Sequence, residues 1–182
     1  MKAPRNFDFN ERLAFSNGYT RDVDNTLTFL RHRIPCFAGV RKAAELNDKR
    51  GCDYYVERTG LYSLGIDLKL RGEDFSVQGS DDLALETFSV IETEQVGWTR
   101  DASKAADYIL WIWKDTGRFF LVPFPPLCAV FQKHWQEWRC RYKTAQQRTS
   151  GPRSRWHSEC VYVPRQTVIN HIEKWMSGKD AS

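Results

Sequence analysis

Asp67 and Lys69 stand two residues apart in the run LGIDLKLR (64–71). In an extended chain alternate residues share a face, so this carboxylate and this ammonium project side by side. Ile66, Leu68 and Leu70 point the other way. Charged groups on a strand with an apolar face are expensive to bury without a purpose. Fourteen residues earlier, Asp53 opens a second extended run, CDYYVER (52–58), and Thr59-Gly60 marks the turn between the two. Such a hairpin brings Asp53 beside Asp67. A third acid, Glu86, interrupts the apolar run LALETF (83–88). Three successive strands thus each offer a carboxylate, one of them next to a lysine. Oxygen donors of this kind suit Mg²⁺ or Mn²⁺, which takes one or two carboxylates together with waters and substrate phosphate. Such an ion stabilises charge on the phosphate and lowers the pKa of a bound water. A neighbouring lysine orients or deprotonates that water and neutralises the developing charge. The plainer alternatives are a salt-bridged, half-exposed strand face for Asp67 and Lys69, and a turn residue for Asp53.

The elements that must position these groups follow from periodicity. Helices are predicted at Glu11–Phe15, at Thr26–Arg33 ahead of Pro35, and at Ala38–Lys49 ahead of Gly51. Strands follow at 52–58, 61–71 and 83–92. Residues 101–106 read as a short crossover helix capped by Asp101, with Arg100 and Lys104 near it and able to touch phosphates. DYILWIW (107–113) is almost continuously apolar, as a buried central strand is, and Asp115-Thr116-Gly117 turns the chain into RFFLVPF (118–124). Leu127, Val130, Phe131, Trp135, Trp138 and Tyr142 recur at helical spacing over 126–147. A polar loop (148–156), a short strand (159–164) and a closing helix around Val168–Met176 complete the order. Hairpins followed by a helical crossover predict an α/β or α+β fold, with a central mixed sheet flanked by helices. No linker stands out, so 1–182 reads as one domain, with a core of about 38–125 and a helix-strand-helix extension at 126–178.

The chain has 182 residues, 41% hydrophobic and 27% charged, ordinary values for a globular protein able to bury a core. No apolar run approaches the roughly 20 residues that span a bilayer, and the charged start is unlike a secretion signal. A cytoplasmic location with no membrane partner is expected. The five cysteines, at 36, 52, 128, 140 and 160, form no CxxC pair and predict reduced, mostly buried thiols. The net charge of +4 is unevenly spread. Lys133, Arg139, Arg141, Lys143, Arg148, Arg153 and Arg155 face only Glu137 between 131 and 155, a local +6 that leaves the remainder at −2. A basic segment beside a neutral or acidic body suits a polyanion. A solvated helix surface explains it equally well.

Asp53 followed by Asp67-Leu68-Lys69 resembles the motif of the PD-(D/E)xK nuclease superfamily, the restriction-endonuclease-like enzymes. The segments GCDYYV (51–56), GIDLKL (65–70), LALETF (83–88), VGWTRDASKAADYILWIW (96–113) and GRFFLVPF (117–124) are similar to uncharacterised members of that superfamily, often from phages and mobile elements. The resemblance covers about residues 45–125. It implies a core of helix, three strands, helix and strand, and a Mg²⁺- or Mn²⁺-dependent endonuclease. Asp53, Asp67 and the Leu68 carbonyl would hold the metal, Lys69 would be the catalytic lysine, and Glu86 would add an acidic ligand or position water. The substrate implied is nucleic acid, DNA in preference to RNA, with phosphate contacts from Arg139, Arg141, Lys143, Arg148, Arg153 and Arg155. Residue 52 is Cys where the motif has Pro, a common variation. The helix glutamate found in many members has two candidates here, Glu45 and Glu11. A homodimer is permitted by the aromatic content without being required. The other reading is a nuclease fold that binds nucleic acid or protein without cutting, for example a phage counter-defence factor.

Overall fold

The apolar alternation of β-strands dominates the middle of the chain, and the computed structural model, which describes residues 5–8, 20–44, 50–150 and 155–179, builds two five-stranded sheets from it. The described residues gather into two compact units. Together they form an α+β protein with mixed sheets and three α-helices among the described residues.

The first unit comprises the described residues of Ala14–Asp74 and Ser103–Pro125. Helix α1 (Thr20–Phe29) is followed by β2 (Phe37–Lys42), β3 (Tyr54–Arg58) and β4 (Leu64–Arg71), an antiparallel meander. The chain returns to this sheet as β7 (Tyr108–Trp113), parallel to β4, and β8 (Phe119–Pro123), antiparallel to β7. Sheet order is β2-β3-β4-β7-β8. Val23 and Leu27 of α1 pack with Tyr54, Val56, Ile66, Leu110 and Ile112, so the even-numbered positions of β4 and β7 face the helix. By alternation Asp67 and Lys69 project from the opposite face of β4.

The second unit comprises the described residues of Met1–Leu13, Phe75–Ala102 and Pro126–Ser182. Its sheet has the order β1-β9-β10-β5-β6, from β1 (Arg5–Asp8), β5 (Asp82–Val90), β6 (Gln95–Val96), β9 (Thr144–Ser150) and β10 (Arg155–Pro164). Helix α2 (Phe124–Arg141) starts in the first unit and lies mainly in the second; Pro125 and Pro126 occupy its first turn, where a missing N–H is harmless. Helix α3 (Arg165–Met176) closes the fold. Trp138 is fully buried, and its ring meets Phe131, His134 and His171.

Four expectations need correction. Residues 37–42 form a strand where a helix was predicted over 38–49, of which 45–49 lie outside the described residues. β3 would otherwise carry an unpaired edge, and pairing with it (Val40 opposite Val56, Lys42 opposite Tyr54) outweighs a weak helix propensity. Residues 101–106 form turns, not a helix. There the Ala105 amide donates to the Arg50 carbonyl and the Asp107 amide to that of Gly65, leaving no helical ladder. β5 does not join β3 and β4 as a third strand, because it pairs with β10 in the other sheet. Finally, α2 ends at Arg141, and 144–150 form a polar strand between β1 and β10, paired through its backbone. The helix expected at Glu11–Phe15, and the side chains of Glu11, Glu45 and Arg153, lie outside the described residues.

Candidate active site

The meander register explains why Asp53 and Asp67 meet. Tyr54 pairs with Ile66, and one residue further along the same register Asp53 arrives opposite Asp67. The regular ladder stops there. The Asp53 amide donates to the Ile66 carbonyl at 2.8 Å, and its carboxylate Oδ2 accepts the Leu68 N–H at 2.6 Å. The Asp53 side chain thus takes the place of a strand backbone and is fixed on the residue between Asp67 and Lys69.

Asp67 is 3% exposed. Lys69 Nζ lies 2.8 Å from its Oδ1 and Lys104 Nζ lies 2.5 Å from its Oδ2. Burial alone would raise the Asp67 pKa, but the charges and hydrogen bonds of Lys69 and Lys104 overcome it and hold the carboxyl below its ordinary value. Isolated, a charge this deep would be unstable; two ammonium partners compensate it. The four charges of Asp53, Asp67, Lys69 and Lys104 cancel.

The approach of Lys104 depends on local backbone. The 103–107 loop is tied to the start of β4: the Gly65 amide donates to Asp107 Oδ2 at 2.7 Å, and the Asp107 amide returns a bond to the Gly65 carbonyl at 2.8 Å. Gly51 sits in the left-handed region (φ 73°), and a Cβ there would collide with the Lys104 side chain. Cys52 beneath is fully buried, donates its thiol to the Tyr54 carbonyl, and has its pKa pushed up chiefly by burial.

No family model, curated protein or solved structure matches this chain.

Asp53, Asp67, Leu68 and Lys69 come together in the first unit. Glu86 does not join that sheet: it lies on β5 in the second unit, where its carboxylate accepts the Trp98 N–H at 2.9 Å and caps the Trp98–Arg100 turn. Gly97 makes this turn possible, since a Cβ there would meet the Glu86 carbonyl. Among the described residues no three His, Cys, Asp or Glu side chains gather as a metal cluster. Two carboxylates and the Leu68 carbonyl still fit the minimal donor set of Mg²⁺, which draws its remaining oxygens from waters and phosphate. Lys104 is the residue whose role sequence reasoning missed: its proximity to phosphate was anticipated, its pairing with Asp67 was not.

The described basic residues of this segment fall on α2, on the short connection after it (Lys143), on β9 and on β10. Arg139 holds the buried Glu159 with a two-pronged grip (2.7 and 3.1 Å), and the Thr87 hydroxyl donates to the same carboxylate at 2.8 Å. That hydrogen bonding raises the Arg139 pKa. Arg141 is well exposed, 3.8 Å from Glu137, and the Lys143 ammonium lies over the Tyr162 ring. Arg148 is half-buried on β9 opposite His157, and Arg155 begins β10, its side chain outside the described set. Of the cysteines, 52, 128 and 160 are buried and all five are free thiols. No helix among the described residues is long and apolar enough to cross a membrane.

Proposed function

We propose that the chain is a cytoplasmic, Mg²⁺- or Mn²⁺-dependent endonuclease of the PD-(D/E)xK superfamily, hydrolysing phosphodiester bonds of DNA in preference to RNA. The observation that carries this reading is the bond from the Leu68 amide to Asp53, which holds one carboxylate against the Asp67-Leu68-Lys69 triplet. Helix α1, the three-stranded meander and the parallel strand β7 further support a restriction-endonuclease-like core. Asp53, Asp67 and the Leu68 carbonyl would hold the ion. When bound, the ion supplies charge stabilisation at the phosphate and an acidified water. Lys69, 17% exposed, keeps its ammonium on Asp67 Oδ1, where it orients the carboxylate and presents positive charge toward the reacting phosphate. The exposed Arg141 and Lys143 are the better candidates for phosphate contact. Arg139 is engaged by Glu159, and a homodimer would give two such sites for cutting both strands.

A second reading, a nuclease fold that binds without cutting, draws on two observations. Both oxygens of Asp67 are already held by ammonium groups, and Glu86 is not on its sheet. Incubation of the purified protein with supercoiled plasmid separates the two. Nicking with Mg²⁺ or Mn²⁺ that EDTA abolishes supports the enzyme. Salt-sensitive binding with no cut on any DNA or RNA supports the binding module.

A further inference from the structure

We infer that the Lys104 ammonium is a resident cation at Asp67 that a divalent ion must displace in order to bind. This rests on the reading of Asp53 and Asp67 as metal ligands. A carboxylate that binds metal ordinarily faces water when the ion is away, but Asp67 is buried, and Lys104 Nζ meets its Oδ2. The same ammonium is 3.3 Å from the Gly51 carbonyl, so it takes a carboxylate and a main-chain oxygen, donors of the kind a hard cation uses. Only a residue without a side chain leaves room for it to cross position 51. Lys104 itself is 8% exposed, so water screens the position poorly.

The two lysines are placed for different fates. Lys69 lies on the same strand as Asp67, two residues away, and moves with it. Lys104 comes from a loop anchored at Ala105 and Asp107, which leaves a flexible four-carbon stem between a fixed base and the ammonium. The site is already neutral. With Lys69 kept on Oδ1, a divalent ion that also had a second ammonium within about 4 Å, on Oδ2, would meet added repulsion where water is scarce, so exchange for Lys104 is favoured over addition.

Titration of Mn²⁺ into the full chain by calorimetry, with melting curves alongside, tests the exchange in wild type, Lys104→Ala and Lys104→Gln. Both variants are expected to bind Mn²⁺ at least about tenfold more tightly than wild type, because a competing charge is gone. Metal-free Lys104→Ala should also melt lower, and Mn²⁺ should raise its Tm by more than it raises that of wild type. Should Lys104→Ala fail to fold, Lys104→Gln, which keeps a hydrogen-bond donor, carries the comparison. Variants that bind no more tightly than a wild type that does bind Mn²⁺ overturn the exchange and leave the metal site standing. Absence of binding in all three overturns both. A gain that persists when Asp67→Asn is added to Lys104→Ala places the ion elsewhere and also overturns the inference.

Discussion

Asp67 and Glu159 are both buried carboxylates on sheet strands, one in each unit, yet they are neutralised in opposite styles. Glu159 is gripped by one planar guanidinium through two parallel bonds and by the Thr87 hydroxyl. That arrangement is rigid and complete, as structural pairs are. Asp67 is held by two separate ammonium groups on flexible stems, and a second carboxylate, Asp53, is fixed on the adjoining backbone. Two point charges can be exchanged one at a time; a bidentate fork cannot. Burial and charge alone therefore do not mark a reactive carboxylate. The kind of counter-ion and a neighbouring acid do.

Several changes sharpen or break this contrast. The largest effect is expected from Lys69→Ala, which should lower the plasmid-nicking rate by about 10²–10³, the usual size for loss of one electrostatic stabiliser of a transition state. Glu159→Gln should leave that rate within about twofold of wild type, since Glu159 belongs to a structural pair and Gln keeps its shape (a factor of two is well under 1 kcal/mol). Equal losses in both variants would erase the distinction. Next in size is the effect of Arg139→Ala on stability. It strands Glu159 without its counter-ion and should cost about 2–3 kcal/mol in urea unfolding, at the low end because the Arg139 side chain is itself 46% exposed. An unchanged midpoint would show that Glu159 is satisfied without Arg139. The smallest effect is expected from Glu86→Ala, which removes the cap on the Trp98 amide. It should cost about 1 kcal/mol and spare nicking. A severe loss of nicking with stability intact would return Glu86 to the site.

The central hairpin was legible in the sequence because its chemistry and its periodicity agree. Alternation over 64–71 assigned Ile66 and Leu68 to one face and Asp67 and Lys69 to the other, but the connection takes five residues (59–63) rather than the two of Thr59-Gly60, and that length sets the register that brings Asp53 opposite Asp67. Sheet membership was less legible. Residues 83–92 read as a strand by pattern, but nothing local distinguishes pairing with β4 from pairing with β10, and Glu86 was misplaced for that reason. Phe37–Lys42 shows the same limit from the other side, since a sequence with helix formers becomes a strand when β3 offers an open edge. The role of Lys104 depends on a parallel return more than thirty residues after β4. The clues are indirect: a glycine at 51 that leaves room and a loop ending where β7 begins.

The most direct test of the central claim is the Mn²⁺-dependent nicking rate of Asp67→Asn beside wild type, with both shown to be folded by their melting curves. Asparagine keeps the size of the side chain and removes the charge that Lys69 and Lys104 embrace. A fall of about 10² or more is expected if Asp67 holds the metal and anchors the lysine, as loss of such a charge from a transition-state site implies. A rate equal to wild type would contradict the assignment of this hairpin as the site of cleavage.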